Sequence, residues 1–195
     1  MSFLTGTNCE LIYVNNSAGT AKNTFTSEAL INDTAGMGPQ PCLPQGFFYG
    51  SSRKSLKIVA RAAVGATTTA PTWTLVFRAG GNAAITGPII GQSSAVTGLA
   101  STTILLKAEL DIVVGDSAGY TIGTGATTVR GTGDIICPRG SSNQLGEVWG
   151  GNASPGTVTT FDPSVTNYIN VSAICGTSNA SNQIQLVQLL IYGLN

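Results

Sequence analysis

The chain has 195 residues, only 9% of them charged; nine basic and nine acidic side chains cancel, and there is no histidine. Imidazole is the commonest acid–base and metal-binding group near neutral pH, so hydrolytic and metal-assisted chemistry lacks its usual equipment. No run of either sign offers a footprint for nucleic acid or an anionic membrane, and a surface this neutral suits a protein that is packed into an assembly.

In chain order, residues 1–6 carry neither a basic segment nor a long apolar run, so no secretory signal is expected and synthesis in a cytoplasm is the default. Residues 10–15 read as a strand, and 28–31 as at most one short helical turn. Leu56, Ile58, Ala60, Ala62 and Val64 alternate with Lys57, Val59, Arg61 and Ala63, the period of two that buries one face of a strand. Trp73, Leu75 and Phe77 repeat the pattern before a turn at Gly80, Gly81 and Asn82. The stretch 81–106 has no charge, but its Gly, Pro and Ser clusters read as turns and strands and not as a membrane span.

The clearest alternation sets Ile104, Leu106, Ala108, Leu110, Ile112 and Val114 against Lys107, Glu109 and Asp111. Residues 115–119 read as a turn, and the Thr- and Gly-rich run 120–130 as the returning strand. Residues 140–156, with glycines around Trp149, read as a long loop. Ile169, Val171 and Ala173 alternate with Tyr168, Asn170 and Ser172, and 178–182 form a turn. Residues 184–194 are almost wholly apolar, which predicts a strand buried on both faces, within a sandwich or against another subunit. Pro71, Pro138, Pro155 and Pro163 are expected between strands. The common phase predicts that Leu56, Ile58, Leu75, Phe77, Leu106, Leu110, Ile112, Ile169 and Val171 share one core. The whole, residues 1–195, is expected to be all-β: a single-domain jelly-roll β-sandwich.

Motifs with chemical meaning have plainer explanations. Ser51 and Lys54 match the Ser-x-x-Lys spacing of a serine nucleophile, but the segment enters a strand, where residues three apart face opposite ways. Glu109 and Asp111 lie about 7 Å apart on one strand face, a separation that suits carboxylates of glycoside hydrolysis; with Lys107 beside them they read as a solvated face. No phosphate-binding glycine pattern occurs, and five Asn-x-Ser/Thr triplets are expected by chance in so polar a chain. Cys9, Cys42, Cys137 and Cys175 lack zinc-site spacing, so buried free thiols are expected, with disulfides as the alternative. No catalytic, cofactor or metal residue is assigned. Trp149, Tyr120, Phe161, Leu189 and Ile191 are the candidate partner contacts, by their aromatic rings or their place in the apolar last strand.

The order of segments, from 10–15 through 38–46, Gly50–Ile58 (GSSRKSLKI), Trp73–Gly80 (WTLVFRAG), the Leu-x-Ala-Glu-Leu-x-Ile-Val run at 106–113, Val-Thr-Thr-Phe-Asp at 158–162 and the closing IQLV at 184–187, resembles that of jelly-roll virion proteins of tailed bacteriophages. The resemblance implies a non-enzymatic homotrimer of the virion, without cofactors, either a capsid decoration protein seated on the major capsid protein lattice or a receptor-binding head of a tail fibre or spike that recognises host surface glycans. Because no stalk or coiled coil is visible, the expectation leans to decoration. Partners of the nucleic-acid or membrane class are not expected.

Overall fold

A computed structural model describes residues 9–48, 55–66, 69–114, 127–139, 142–150 and 157–194. Its strands are β1 (Cys9–Asn15), β2 (Lys22–Asn23), β3 (Ala29–Leu30), β4 (Cys42–Leu43), β5 (Ser55–Gly65), β6 (Thr72–Gly80), β7 (Ile89–Ser93), β8 (Val96–Thr97), β9 (Thr103–Val114), β10 (Thr127–Arg139), β11 (Ser142–Trp149), β12 (Thr157–Phe161), β13 (Asn167–Cys175) and β14 (Gln183–Leu194), with one helical turn, α1 (Thr34–Met37).

Hydrogen bonding runs β1-β14-β5-β9-β10-β11-β7-β6-β13-β3, with β2, β4, β8 and β12 attached at the sides. Without the β10–β11 hairpin and the four side strands, eight strands remain in two sheets, β1-β14-β5-β9 and β3-β13-β6-β7. In chain order these are the first, eighth, third and sixth strands facing the second, seventh, fourth and fifth, which is the strand order of a jelly roll. The hairpin then links the sheets along one side, β10 pairing with β9 and β11 with β7, so the sheet curls round without a free edge there.

The core lies between the sheets, and all nine residues named from their phase are in it: Leu56, Ile58, Leu75, Phe77, Leu106, Leu110, Ile169 and Val171 are fully buried and Ile112 nearly so. Glu28, just before the edge strand β3, reaches the outward side chains of β6 and β13. There Arg78 donates through Nε and Nη2 to the two carboxylate oxygens of Glu28 at 2.7 and 2.6 Å, and through Nη1 to the Gly87 carbonyl at 2.6 Å; Ser172 donates its hydroxyl to Glu28 as well. Asn32 extends the β3 edge with its side chain, donating to the Ile169 carbonyl at 3.0 Å and accepting from the Val171 N–H at 2.9 Å. An amide is the one short side chain that can imitate a peptide group in this way.

Burial alone would raise the Glu28 carboxyl, but the hydrogen bonds from Arg78 and Ser172 and the guanidinium charge outweigh it and hold the group below its ordinary value. A carboxylate depressed in the folded state contributes stability above its unfolded pKa and loses it as pH falls through the folded one. The urea midpoint should therefore hold from pH 7 to about pH 5 and decline below about pH 4.5, and Glu28→Gln should flatten part of that decline. An acid profile unchanged by the substitution would mean that the pair does not fasten the β3 edge.

Several sequence expectations are corrected. Residues 28–31 are not helical: Ala29–Leu30 pairs with β13, and the helical turn comes later, where Asp33 caps it by accepting from the Gly36 N–H at 3.0 Å. The 140–156 loop contains β11, and Pro138 lies within β10, opposite Asn143 near the hairpin end. Cys137 and Cys175 are buried, but Cys9 and Cys42 are exposed; none of the four is in a disulfide. Within the protomer β14 is not buried on both faces, because it sits between β1 and β5 with only one face towards the core, which leaves contact with another subunit as the way to cover the other. The 81–106 stretch contributes β7 and β8, and no described helix is long and apolar enough to cross a membrane.

Candidate functional site

Pairing register places a broad open surface on the outer side of β1-β14-β5-β9-β10-β11. Three rows of side chains cross it. One runs Gln188, Arg61, Lys107, Ile136, Leu145. The next runs Val14, Leu190, Val59, Glu109 and continues, by the register on either side, to Asp134 and Glu147. The third runs Leu11, Tyr192, Lys57, Asp111, Thr132, Trp149.

The surface is unusually apolar. Leu11 (52% exposed), Val14, Leu105, Val113 and Leu145 (71%) all lie on it, five of the seven large hydrophobic residues exposed in the described structure. Scattered exposed aliphatics are ordinary; their gathering on one sheet face is the mark of a contact surface. At its middle, Lys57 Nζ lies 2.9 Å from Glu109 and 3.8 Å from Asp111, and Lys107 pairs with Glu109 from the other side. Hydrogen bonds from Lys107 and Lys57 hold the Glu109 carboxyl below its ordinary value, and Glu109 in turn raises Lys57. A glycosidase acid needs a raised pKa, so Glu109 has the opposite property.

Beside this cluster a shallow depression of ≈ 280 Å³ is lined by Cys9, Lys57, Val59, Arg61, Glu109, Leu190 and Tyr192. Arg61 is held by the Gln188 side-chain carbonyl, whose amide donates to Asn16 at 2.6 Å. A second hollow of ≈ 290 Å³, at one end of the sandwich, is lined by Gly65, Ala66, Ser101, Thr102, Thr103, Ser181 and Gln183, none of them ionisable. Among the described residues no group of three His, Cys, Asp or Glu is placed to hold a metal.

Of the candidate contacts, Trp149 is on the open face, half-buried, with an indole N–H that is buried and has no acceptor among the described residues. Phe161, Leu189 and Ile191 are core residues, 2%, 0% and 0% exposed, because their phase turns them inward; Phe161 packs edge-on to Phe48 with ring centroids 5.6 Å apart. They are not surface contacts of the protomer. Tyr120 lies outside the described residues, as does the 51–54 segment with Ser51 and Lys54. The open face is not evident from the sequence, although one signal is there: Leu105 and Val113 share the phase of Lys107, Glu109 and Asp111, so apolar residues flank the charges on the outward side of β9.

No family model matches the chain, and no curated protein matches it. Among solved structures it is similar to one described as the CBM2 module of the evolved Dit of Lactobacillus casei BL23 phage J-1, at 12% identity, with 97% of each chain covered and a TM-score of 0.39. A likeness at that score carries no argument, and the architecture above rests on the strand pairing of this chain.

Proposed function

We propose that the chain is a non-enzymatic structural protein of a tailed-phage virion, a homotrimeric decoration protein that reinforces the capsid by adhering to the major capsid protein lattice. The observation that carries the reading is the open sheet face: broad, rich in exposed aliphatic side chains, and crossed at its middle by the ion pairs of Lys57 and Lys107 with Glu109. Such a surface is suited to being covered by protein, in a homotrimer first of all by another copy of the chain, because its aliphatic side chains leave water and its central charges are already paired. The jelly-roll strand order agrees with the segment order that resembles phage virion proteins. Decoration works by weak contacts repeated around a shell, so each copy needs area more than a pocket.

The second reading, a receptor-binding head for host glycans, is favoured by Trp149 and Tyr192, rings of the kind on which sugars stack. Four strand spacings separate them, about 19 Å, too far for both to hold one sugar ring, and this favours the protein contact. The two readings part in particles that lack the protein. Under the decoration reading such particles adsorb normally and rupture at lower temperature or milder osmotic shock. Particles that fail to adsorb and keep full thermal stability would instead support the receptor-binding head.

A further inference from the structure

The open face is electrically lopsided. Its β14–β5 side carries the cations Lys57 and Arg61 among apolar neighbours, and Arg61 is bonded to an amide and to no carboxylate of the described residues. Its β10–β11 side carries Asp134 and Glu147, both exposed and directly opposite each other across the hairpin, with no ion pair to a described residue, and one cation, Arg130, further along β10 beside Val113. Like charges placed face to face across a ladder destabilise it. The isolated fold therefore bears a local cost at β10–β11 and, about two strands away, a guanidinium bonded to an amide and to no described carboxylate.

We propose that the occupant of this face is a second copy of the same chain, with Asp134 and Glu147 of one copy meeting Arg61 and the adjoining depression on the next. The two features complement each other in charge, and the contact would relieve both. The face measures roughly 750 Å², from six strands at about 4.8 Å spacing and about eight residues at 3.3 Å rise, close to the 800 Å² or so that one partner buries in a stable interface, and in a trimer each copy shares it between its two neighbours. Leu11, Val14 and Leu145 then supply the apolar surface that is removed from water, and the charges set which halves of the face meet. This inference rests on the assembly reading above and names the contact between copies.

The test is sedimentation of the purified chain at about 10 μM. The wild type should sediment as an oligomer. Arg61→Glu alone, and Asp134→Lys with Glu147→Lys, should each weaken association at least about tenfold by putting like charges together, with circular dichroism unchanged. Combining all three substitutions in one chain should restore the oligomer. A monomeric wild type, one-sided variants that associate as well as the wild type, or a triple variant as weak as the one-sided ones would overturn the proposal. These outcomes are read in solution; the virion role is judged separately, from shell rupture and adsorption.

Discussion

Phe77→Ala should remove about 3–5 kcal/mol of stability, the range for a large aromatic lost from a packed core. Phe77 is fully buried in the middle of β6, where its strand pairs with β13 through Val171 and with β7 through Gly91. The facing sheet is tied to the same core through Leu56, Ile58 and Leu110. A domain holds only about 5–15 kcal/mol in all, so the variant should lose roughly a fifth of its margin or more. The urea midpoint should fall while the slope stays the same. A loss below about 1 kcal/mol would mean that the two sheets do not close on one core.

Gly133→Ala should be at least as damaging, for a steric reason. A Cβ at that position would stand 2.0 Å from the Glu109 carbonyl oxygen, 2.8 Å from its carbon and 3.0 Å from the Leu110 Cα. All three are backbone atoms of β9, so no side chain can rotate away and the two strands must part. Ordinary overpacking costs about 1–3 kcal/mol where side chains can yield; here the loss should exceed that range, and amide exchange should accelerate in β10. Gly81→Ala is the control, because its Cβ would meet only Ala84 Cβ at 3.8 Å, and it should change the midpoint little. Equal stability of the two variants would show that β9 and β10 are not held as close as the pairing describes.

The architecture was legible where alternation was strict. In β5, β6 and β9 the inward face is fully buried and most of the other is not, so period two in the sequence maps onto burial, whereas in β13 Asn170 and Ser172 of the outer face are buried as well. It was illegible in two places. In β14 a bulge between Leu186 and Gln188 shifts the phase, and outward Leu190, Tyr192 and Leu194 join inward Leu189 and Ile191 in one apolar run. Composition alone cannot tell such a strand from one buried on both sides. In β11 the glycines looked like loop residues, yet a Cβ at Gly146 would stand 2.2 Å from Ser94 Oγ and 2.8 Å from Ile135 Cγ2, so glycine there allows close packing within a strand.

The contact face was illegible for a different reason. It is assembled from strands at both ends and in the middle of the chain, so Leu11 and Val59 become neighbours of Glu109, Asp134 and Leu145 only through the pairing order. Trp149 could be singled out as a lone ring, but Arg61 and the Asp134–Glu147 pair gain meaning only from their places across the sheet.

Electron microscopy of the intact virion tests the central claim most directly. The account predicts density of this jelly roll in clusters of three on the outer capsid, each copy joined to the next through the β1-β14-β5-β9-β10-β11 face. Density found only at the tail tip or along fibres, with that face turned to solvent, would contradict it.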